Sequence, residues 1–168
     1  MTLFDKKFWN QYNYLIVPYY PNNVINALDG FSISKEQAKN ERSATQIIRK
    51  KLLEEGIQVE PKDKKIIYDK KKYGEWTFFI DIEGVMDDNV PVGIEVKLAE
   101  KLLHDRKEMY RMLGQSFVYK FVNYKNVLSC LMMVIVVGDE ETYTKPEMKF
   151  VFECIKKNSI HPLYIPIK

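Results

Sequence analysis

Two carboxylates and an ammonium, Asp81, Glu95 and Lys97, stand at spacings that could set them to work on one substrate. Asp87-Asp88-Asn89 has the composition of a tight turn, and apolar residues alternate on either side of it. Trp76, Phe78, Ile80 and Ile82 precede the turn, and Val92, Ile94, Val96 and Leu98 follow it. Two such strands form a hairpin. Folded symmetrically about Asp88, the hairpin brings Asp81 opposite Glu95, with Cβ atoms about 4.5–5.5 Å apart. Like charges so close repel each other, and a divalent cation between them resolves the conflict. Lys97 lies two residues beyond Glu95 and therefore shares its face.

Glu41 adds a third acid. It continues, one turn earlier, the helical stripe of Ala44, Ile48 and Leu52, and so points inward. Hard oxygen donors of this kind suit Mg2+ or Mn2+, with water completing the coordination. Further along, Gln115 and Tyr119 are neighbours on one helix face, with Arg111 a turn before and His104 further back on the same polar side. Guanidinium, amide and phenol groups beside a metal are suited to hold phosphate and base edges. A solvated hairpin face with an ordinary ion pair is the plainer alternative. It conflicts with the burial expected of the surrounding sheet.

That expectation comes from the elements. Val127 to Val137 is apolar at odd and even positions alike, the mark of a strand covered on both faces. Ser34 with Gln37 is a capping box and Gly56 a stop, so 35–55 reads as a helix, with an interruption near Asn40 allowed. Residues 99–122 read as one long helix carrying Leu102, Met109, Leu113, Phe117 and Phe121 on its inner side. Thr144 with Glu147 opens another helix through Met148, Val151, Phe152 and Ile155, and Ile160–Ile167, with Pro162 and Pro166, fits an edge strand. The fold class is α/β, a mixed central sheet flanked by helices.

The chain's 168 residues fit one compact domain, 34–168, behind an aromatic-rich extension, 1–33. With 46% hydrophobic and 29% charged residues it is neither disordered nor collagen-like. No apolar run approaches the roughly 20 residues of a membrane helix, and Asp5, Lys6 and Lys7 interrupt any signal-like start. A cytoplasmic setting is expected. Cys130 and Cys154 stand too far apart for a zinc ribbon or a disulfide framework. The net charge of +3 names no partner by itself. Lys62, Lys64, Lys65, Lys70, Lys71 and Lys72 crowd one stretch, either a solvated loop or a track for a phosphate backbone.

Glu41 on a first helix, Asp81 on a strand, Glu95-Val96-Lys97 on the next and Gln115-Ser116-Phe117-Val118-Tyr119 on the following helix resemble the PD-(D/E)xK nuclease superfamily. The segment from Asn40 to Ile57 is similar to the opening helix of archaeal Holliday-junction resolvases, and Gln115-x-x-x-Tyr119 to the motif of the Q-x-x-x-Y exonucleases. Ile80 stands where the family often has proline, and the cysteine cluster of the iron-sulfur exonucleases is missing. The resemblance implies a restriction-endonuclease-like αβββαβ core with a C-terminal αβ extension. It also implies a Mg2+-dependent DNA nuclease, an endonuclease before an exonuclease or a non-catalytic DNA-binding relative. Asp81, Glu95, the Val96 carbonyl and Glu41 would hold the metal, and Lys97 would complete the catalytic set. Gln115, Tyr119, Arg111, Lys70, Lys71 and Lys72 would bind DNA. Restriction-type members often pair as homodimers.

Overall fold

A computed structural model of the chain describes residues 20–59, 66–67, 77–78, 80–119, 123–124, 127–128 and 131–168. Its helices are α1 (Asn22–Ala27), α2 (Glu41–Glu54), α3 (Ala99–His104), α4 (Arg106–Tyr119), α5 (Glu140–Thr144) and α6 (Pro146–Lys157). Its strands are β1 (Ile66–Ile67), β2 (Thr77–Phe78), β3 (Ile82–Asp87), β4 (Val90–Leu98), β5 (Asn123–Tyr124), β6 (Val127–Leu128), β7 (Leu131–Gly138) and β8 (His161–Pro166). The main sheet has the order β3-β4-β7-β8; β3 runs antiparallel to β4, and β4, β7 and β8 run parallel. This is the expected α/β architecture with a mixed sheet. β1 pairs with β2 and β5 with β6 in separate two-stranded ladders.

Alternation along β4 and β7 divides the interior in two. On one face Val92, Ile94, Val96, Met133, Ile135 and Val137 pack with Ile48 and Leu52 of α2 and Val24 of α1. On the other, Met132, Val134 and Val136 meet Leu102, Met112, Met148, Val151 and Ile155 from α3, α4 and α6. Helices on both faces explain why β7 is apolar throughout. Within the stretch read as an aromatic extension, α1 forms, and Val24, Ala27, Leu28 and Ile33 join the first core. Residues 1–19 lie outside the described residues, as do Lys62, Lys64, Lys65, Lys70, Lys71, Lys72, Trp76, Phe79, Phe121 and Cys130.

Several boundaries differ from expectation, each for a local reason. The Ser34–Gln37 capping box is present, but it closes a single turn; α2 starts afresh at Glu41 because Asn40 Oδ1 accepts from the Ser43 N–H at 2.9 Å. Gly56, at φ +77°, ends α2 with the paired bonds Gly56 N–H to Leu53 O and Ile57 N–H to Leu52 O. The single strand expected over 76–83 is two, β2 and β3, and the apolar run 127–137 is likewise split into β6 and β7. Pro146 holds Lys145 extended, so α6 begins at the proline with no side-chain cap, and Thr144, expected to cap it, instead ends α5, which Asp139 caps through the Thr142 N–H.

The long helix expected over 99–122 breaks at Asp105, whose backbone is extended. Asp105 Oδ1 accepts from the Lys107 N–H at 2.9 Å and its carbonyl from the Glu108 N–H at 3.0 Å, starting α4. The break re-phases the helix. Met112 and Ser116 turn inward, and Phe117 becomes 52% exposed instead of joining the core stripe.

The hairpin turn is also shifted. Asp88 and Asn89 both have positive φ, 46° and 67°, as a two-residue turn requires, and the adjoining pairs are Asp87 with Val90, Met86 with Pro91 and Val85 with Val92. That register would send Asp81 to the wrong face. A bulge between Ile82 and Val85 inserts one residue and restores the pairing of Ile82 with Ile94. Ile82 and Val85, three apart, consequently reach the same core. The turn also anchors α1: the buried Asp87 carboxylate accepts from the Val24 N–H at 3.0 Å, a cap Pro21 cannot supply.

Gly138 ends β7 where there is no room for a side chain, since a Cβ there would lie 2.5 Å from the Ala99 Cβ and against the Tyr164 hydroxyl. Replacing Gly138 with alanine is expected to cost about 1–3 kcal/mol of stability, measurable by urea unfolding. Unchanged stability would mean that α3 and β8 are not seated on β7 as described.

Candidate active site

The open edge of β4 makes the site. β3 begins only at Ile82, so beyond Ile94 the outer edge of β4 has no strand beside it among the described residues. Asp81 fills the first vacant position: its Oδ2 accepts from the Val96 N–H at 2.8 Å. In a strand the N–H and C=O of one residue point to the same edge, so the Val96 carbonyl faces that opening too. Arg49 of α2 donates to the Asp81 carbonyl at 3.0 Å and fixes the backbone that aims the carboxylate.

Glu95 and Lys97 project from the opposite face of β4 to Val96, beneath α4. Both are buried, and they pair at 2.9 Å, Lys97 Nζ to Glu95 Oε1. Glu41, the first residue of α2, approaches the same ammonium at 3.7 Å, and Lys101 of α3 stands 3.7 Å from its other oxygen. The structure thus brings together Glu41, Asp81, Glu95 and Lys97. They line a cavity of about 500 Å³ with Lys101, Asp105, Glu108, Arg111 and Gln115.

Charge is out of balance there. Burial first, and then the nearby Asp81 charge, push the Glu95 carboxyl from 4.5 up to about 7 against the pull of Lys97. Burial draws the Lys97 ammonium down, but the Glu95, Glu41 and Asp81 carboxylates outweigh it and hold Lys97 above its ordinary value. The Lys97 direction reports an excess of negative charge, and that of Glu95 reports burial first and the Asp81 charge second. Glu95 Oε2 is moreover buried with no hydrogen-bond partner among the described residues. A buried carboxylate oxygen left bare costs free energy unless something positive meets it.

That orphaned oxygen fits a hard cation. Among the described residues no group of three acidic, histidine or cysteine side chains forms a ready cage. Mg2+ does not need one: it binds through one or two carboxylates and keeps several waters or phosphate oxygens. Asp81, Glu95 and the Val96 carbonyl supply donors of the right kind.

The chain matches no family model and no curated protein. Among solved structures there is one resemblance to report. The fold is similar to that of an XisH family protein. The crystal structure is of the Nostoc punctiforme PCC 73102 protein, with a TM-score of 0.51 and 19% sequence identity, over 73% of this chain and 90% of that one. At that identity the likeness to the XisH protein concerns the fold alone.

Of the residues expected to touch DNA, Arg111 and Gln115 line the cavity, Arg111 3.5 Å from Glu108. Tyr119 is the last residue of α4, and its side chain lies outside the described residues, as do Lys70, Lys71 and Lys72. His104 is exposed and does not line the cavity, because the break at Asp105 separates it from the Arg111–Gln115 face. Sequence reasoning missed Arg49, Lys101, Asp105 and Glu108. Glu108 was within reach, being three residues before Arg111 and seven before Gln115 on one helix face. So was Asp105, since Asp followed three residues later by Glu is a helix-start pattern. Arg49 and Lys101 carried no such signal, because their contacts cross between elements.

No helix among the described residues is long and apolar enough to cross a membrane.

Proposed function

We propose that this chain is a Mg2+-dependent DNA nuclease with a restriction-endonuclease-like core, cutting phosphodiester bonds within a strand. One observation carries the reading. Asp81, Glu95, the Val96 backbone and Lys97 converge at an open strand edge in one cavity, with a buried Glu95 oxygen bare. The order α2, β3, β4, α4, β7 supports a reading of the chain as an αβββαβ core, with α6 and β8 as its C-terminal extension. DNA is the proposed partner, in a cytoplasmic setting, with homodimerisation the means of cutting both strands.

Asp81, Glu95 and the Val96 carbonyl would hold the ion, and Glu41 would join them directly or through water. A divalent ion there supplies Lewis acidity toward a phosphoryl oxygen and makes hydroxide accessible at neutral pH; Mn2+ can substitute. Lys97, already held as an ammonium, orients the attacking water and neutralises charge growing on the phosphate. Arg111 and Gln115 position the strand, and by resemblance Tyr119 and the lysines at 70–72 extend the grip. Gln115 in the cavity favours one second reading, an exonuclease of the Q-x-x-x-Y kind.

The test is cleavage of supercoiled, linear, nicked, single-stranded and four-way DNA with Mg2+ or Mn2+, by wild type and by Lys97→Ala. Nicked or linearised plasmid supports the endonuclease, and loss of linear DNA alone the exonuclease. DNA retained but never cut leaves a binding module, and equal cutting by both proteins removes Lys97 from the chemistry.

Metal uptake also has a proton signature. Because Glu95 holds its proton up to about pH 7, Mg2+ or Mn2+ binding at pH 6 is expected to release about one proton per ion. Calorimetry in two buffers of different ionisation enthalpy reads that number. A value near zero would exclude Glu95 as a ligand.

A further inference from the structure

Among the described residues three cations line the cavity, and they are held differently. Lys97 is buried and sits 2.9 Å from Glu95. Arg111 pairs with Glu108, one turn back on its own helix. Lys101, on α3, reaches across to Glu41 at the start of α2. Its side chain is 52% exposed, so it lies at the mouth of the cavity rather than beneath α4.

Glu41 stands between two ammonium groups and hydrogen-bonds to neither. Lys97 Nζ is 3.7 Å from its Oε2 and Lys101 Nζ 3.7 Å from its Oε1, both beyond hydrogen-bond range. Glu41 Oε1 is buried with no hydrogen-bond partner among the described residues. A half-exposed ion pair at that distance contributes little, so Lys101 can leave it at small cost. Lys97 has Glu95 to keep it in place.

The partner of Lys101 is also the acid that would join Asp81 and Glu95 on a divalent ion, directly or through water. If Glu41 turns to a cation, Lys101 loses its anchor and is repelled by the added charge. A phosphate oxygen is the partner such an ammonium takes up, and the flexible four-carbon stem of a lysine carries it there without moving the helix.

We infer that Lys101 is a phosphate-binding side chain that Glu41 holds in reserve, released to the nucleic-acid backbone when Glu41 is drawn to a cation. This rests on the nuclease reading for its ligand, and adds to it a regulation: one grip on the substrate is made only when the site is charged with metal.

The experiment is binding of a fluorescent DNA duplex with a single-stranded tail, in EDTA and in Ca2+, which takes oxygen ligands as Mg2+ does; a gel checks that the DNA stays whole. Wild type is compared with Lys101→Met, Lys101→Arg, Glu41→Gln and the double variant. Methionine and lysine have nearly equal helix propensity, so Lys101→Met should fold as wild type does. In EDTA it should bind DNA within about twofold of wild type. In Ca2+ it should bind about tenfold more weakly, and the slope of log affinity on log salt should shrink by about one. Lys101→Arg keeps the charge and should keep the Ca2+ affinity. Glu41→Gln removes the restraint without any metal. In EDTA it should bind about tenfold more tightly than wild type, and adding Lys101→Met should remove most of that gain.

A Lys101→Met effect that is the same in EDTA and in Ca2+, whether a loss or none, would overturn the inference, because Lys101 would then not be held back. So would an unchanged salt slope, which a merely structural role predicts, or a gain in Glu41→Gln that survives Lys101→Met. Binding and cleavage are read separately. Metal-coupled binding through Lys101 without cleavage in Mg2+ defeats only the nuclease reading, and cleavage without that coupling defeats only the role of Lys101.

Discussion

Asp81→Asn is expected to lower Mg2+-dependent DNA cleavage by about 10²–10³-fold while moving the melting temperature by only a few degrees. The two effects separate because the side chain has two duties. Its oxygen accepts from the Val96 N–H at 2.8 Å, and an asparagine carbonyl can do the same. In the proposed reading its negative charge would help hold the cation, and asparagine lacks it. Charge stabilisation by a bound metal is worth several kcal/mol in a phosphoryl-transfer transition state, hence the size of the loss. Asp81→Ala confuses the duties, since it also strips the Val96 N–H of its acceptor at an open strand edge. Full activity in Asp81→Asn would show that the carboxylate is a structural cap and would move the metal elsewhere.

Glu95→Gln is expected to do the opposite to stability: at pH 8 it should stabilise the metal-free protein by about 2–3 kcal/mol, and abolish cleavage. Glu95 is 3% exposed and titrates near 7 rather than 4.5. Between those values the folded chain keeps a proton that the unfolded chain has released. The stability this confers is complete below about pH 4.5 and is lost as pH rises through about 7. At pH 8 the folded state carries the full cost of a buried, crowded carboxylate, up to about 3 kcal/mol by the size of the shift. Glutamine has the same shape without the charge. For a chain of this length the gain corresponds to roughly 5–10 °C in melting temperature. Thermal melts at pH 5 and pH 8 without metal provide the check: the stabilisation should be large at pH 8 and small at pH 5. A variant less stable than wild type at pH 8 would mean that the Lys97 ion pair outweighs the desolvation of Glu95. Both results together would describe a site in which stability is given up for a charge that the fold does not need.

Of the residues that meet in the cavity, Glu41, Glu95 and Lys97 were legible in the sequence because each lies in a short, regular context, whereas Lys101, Asp105 and Glu108 were missed. Alternation over Val92–Leu98 sets Glu95 and Lys97 on one face, and the spacing of Ala44, Ile48 and Leu52 aims the start of α2, with Glu41, at the sheet. Apolar residues at every position of Leu131–Val137 announced helices on both sides of the sheet. These are consequences of periods of 2 and 3.6 residues, which any stretch of chain carries by itself. Lost from view were the places where the period is interrupted. The bulge between Ile82 and Val85 corrects a register that the Asp88–Asn89 turn would otherwise set wrongly for Asp81. The break at Asp105 turns Phe117 outward and Met112 inward. The late start of β3 leaves the Val96 N–H for Asp81, and Arg49 reaches across from α2 to hold that arrangement.

The sequence by itself determined which side chains share a face and therefore which chemistry was available. Tertiary structure alone decided that Glu95 would be buried with one oxygen bare among the described residues, that Lys97 would be clamped between acids, and that no described strand would cover the edge of β4 at Val96. The reason is one of range. Periodicity is a property of neighbours in the chain, whereas the hydration of a charge and the pairing of a backbone N–H depend on what other elements bring to the same point in space.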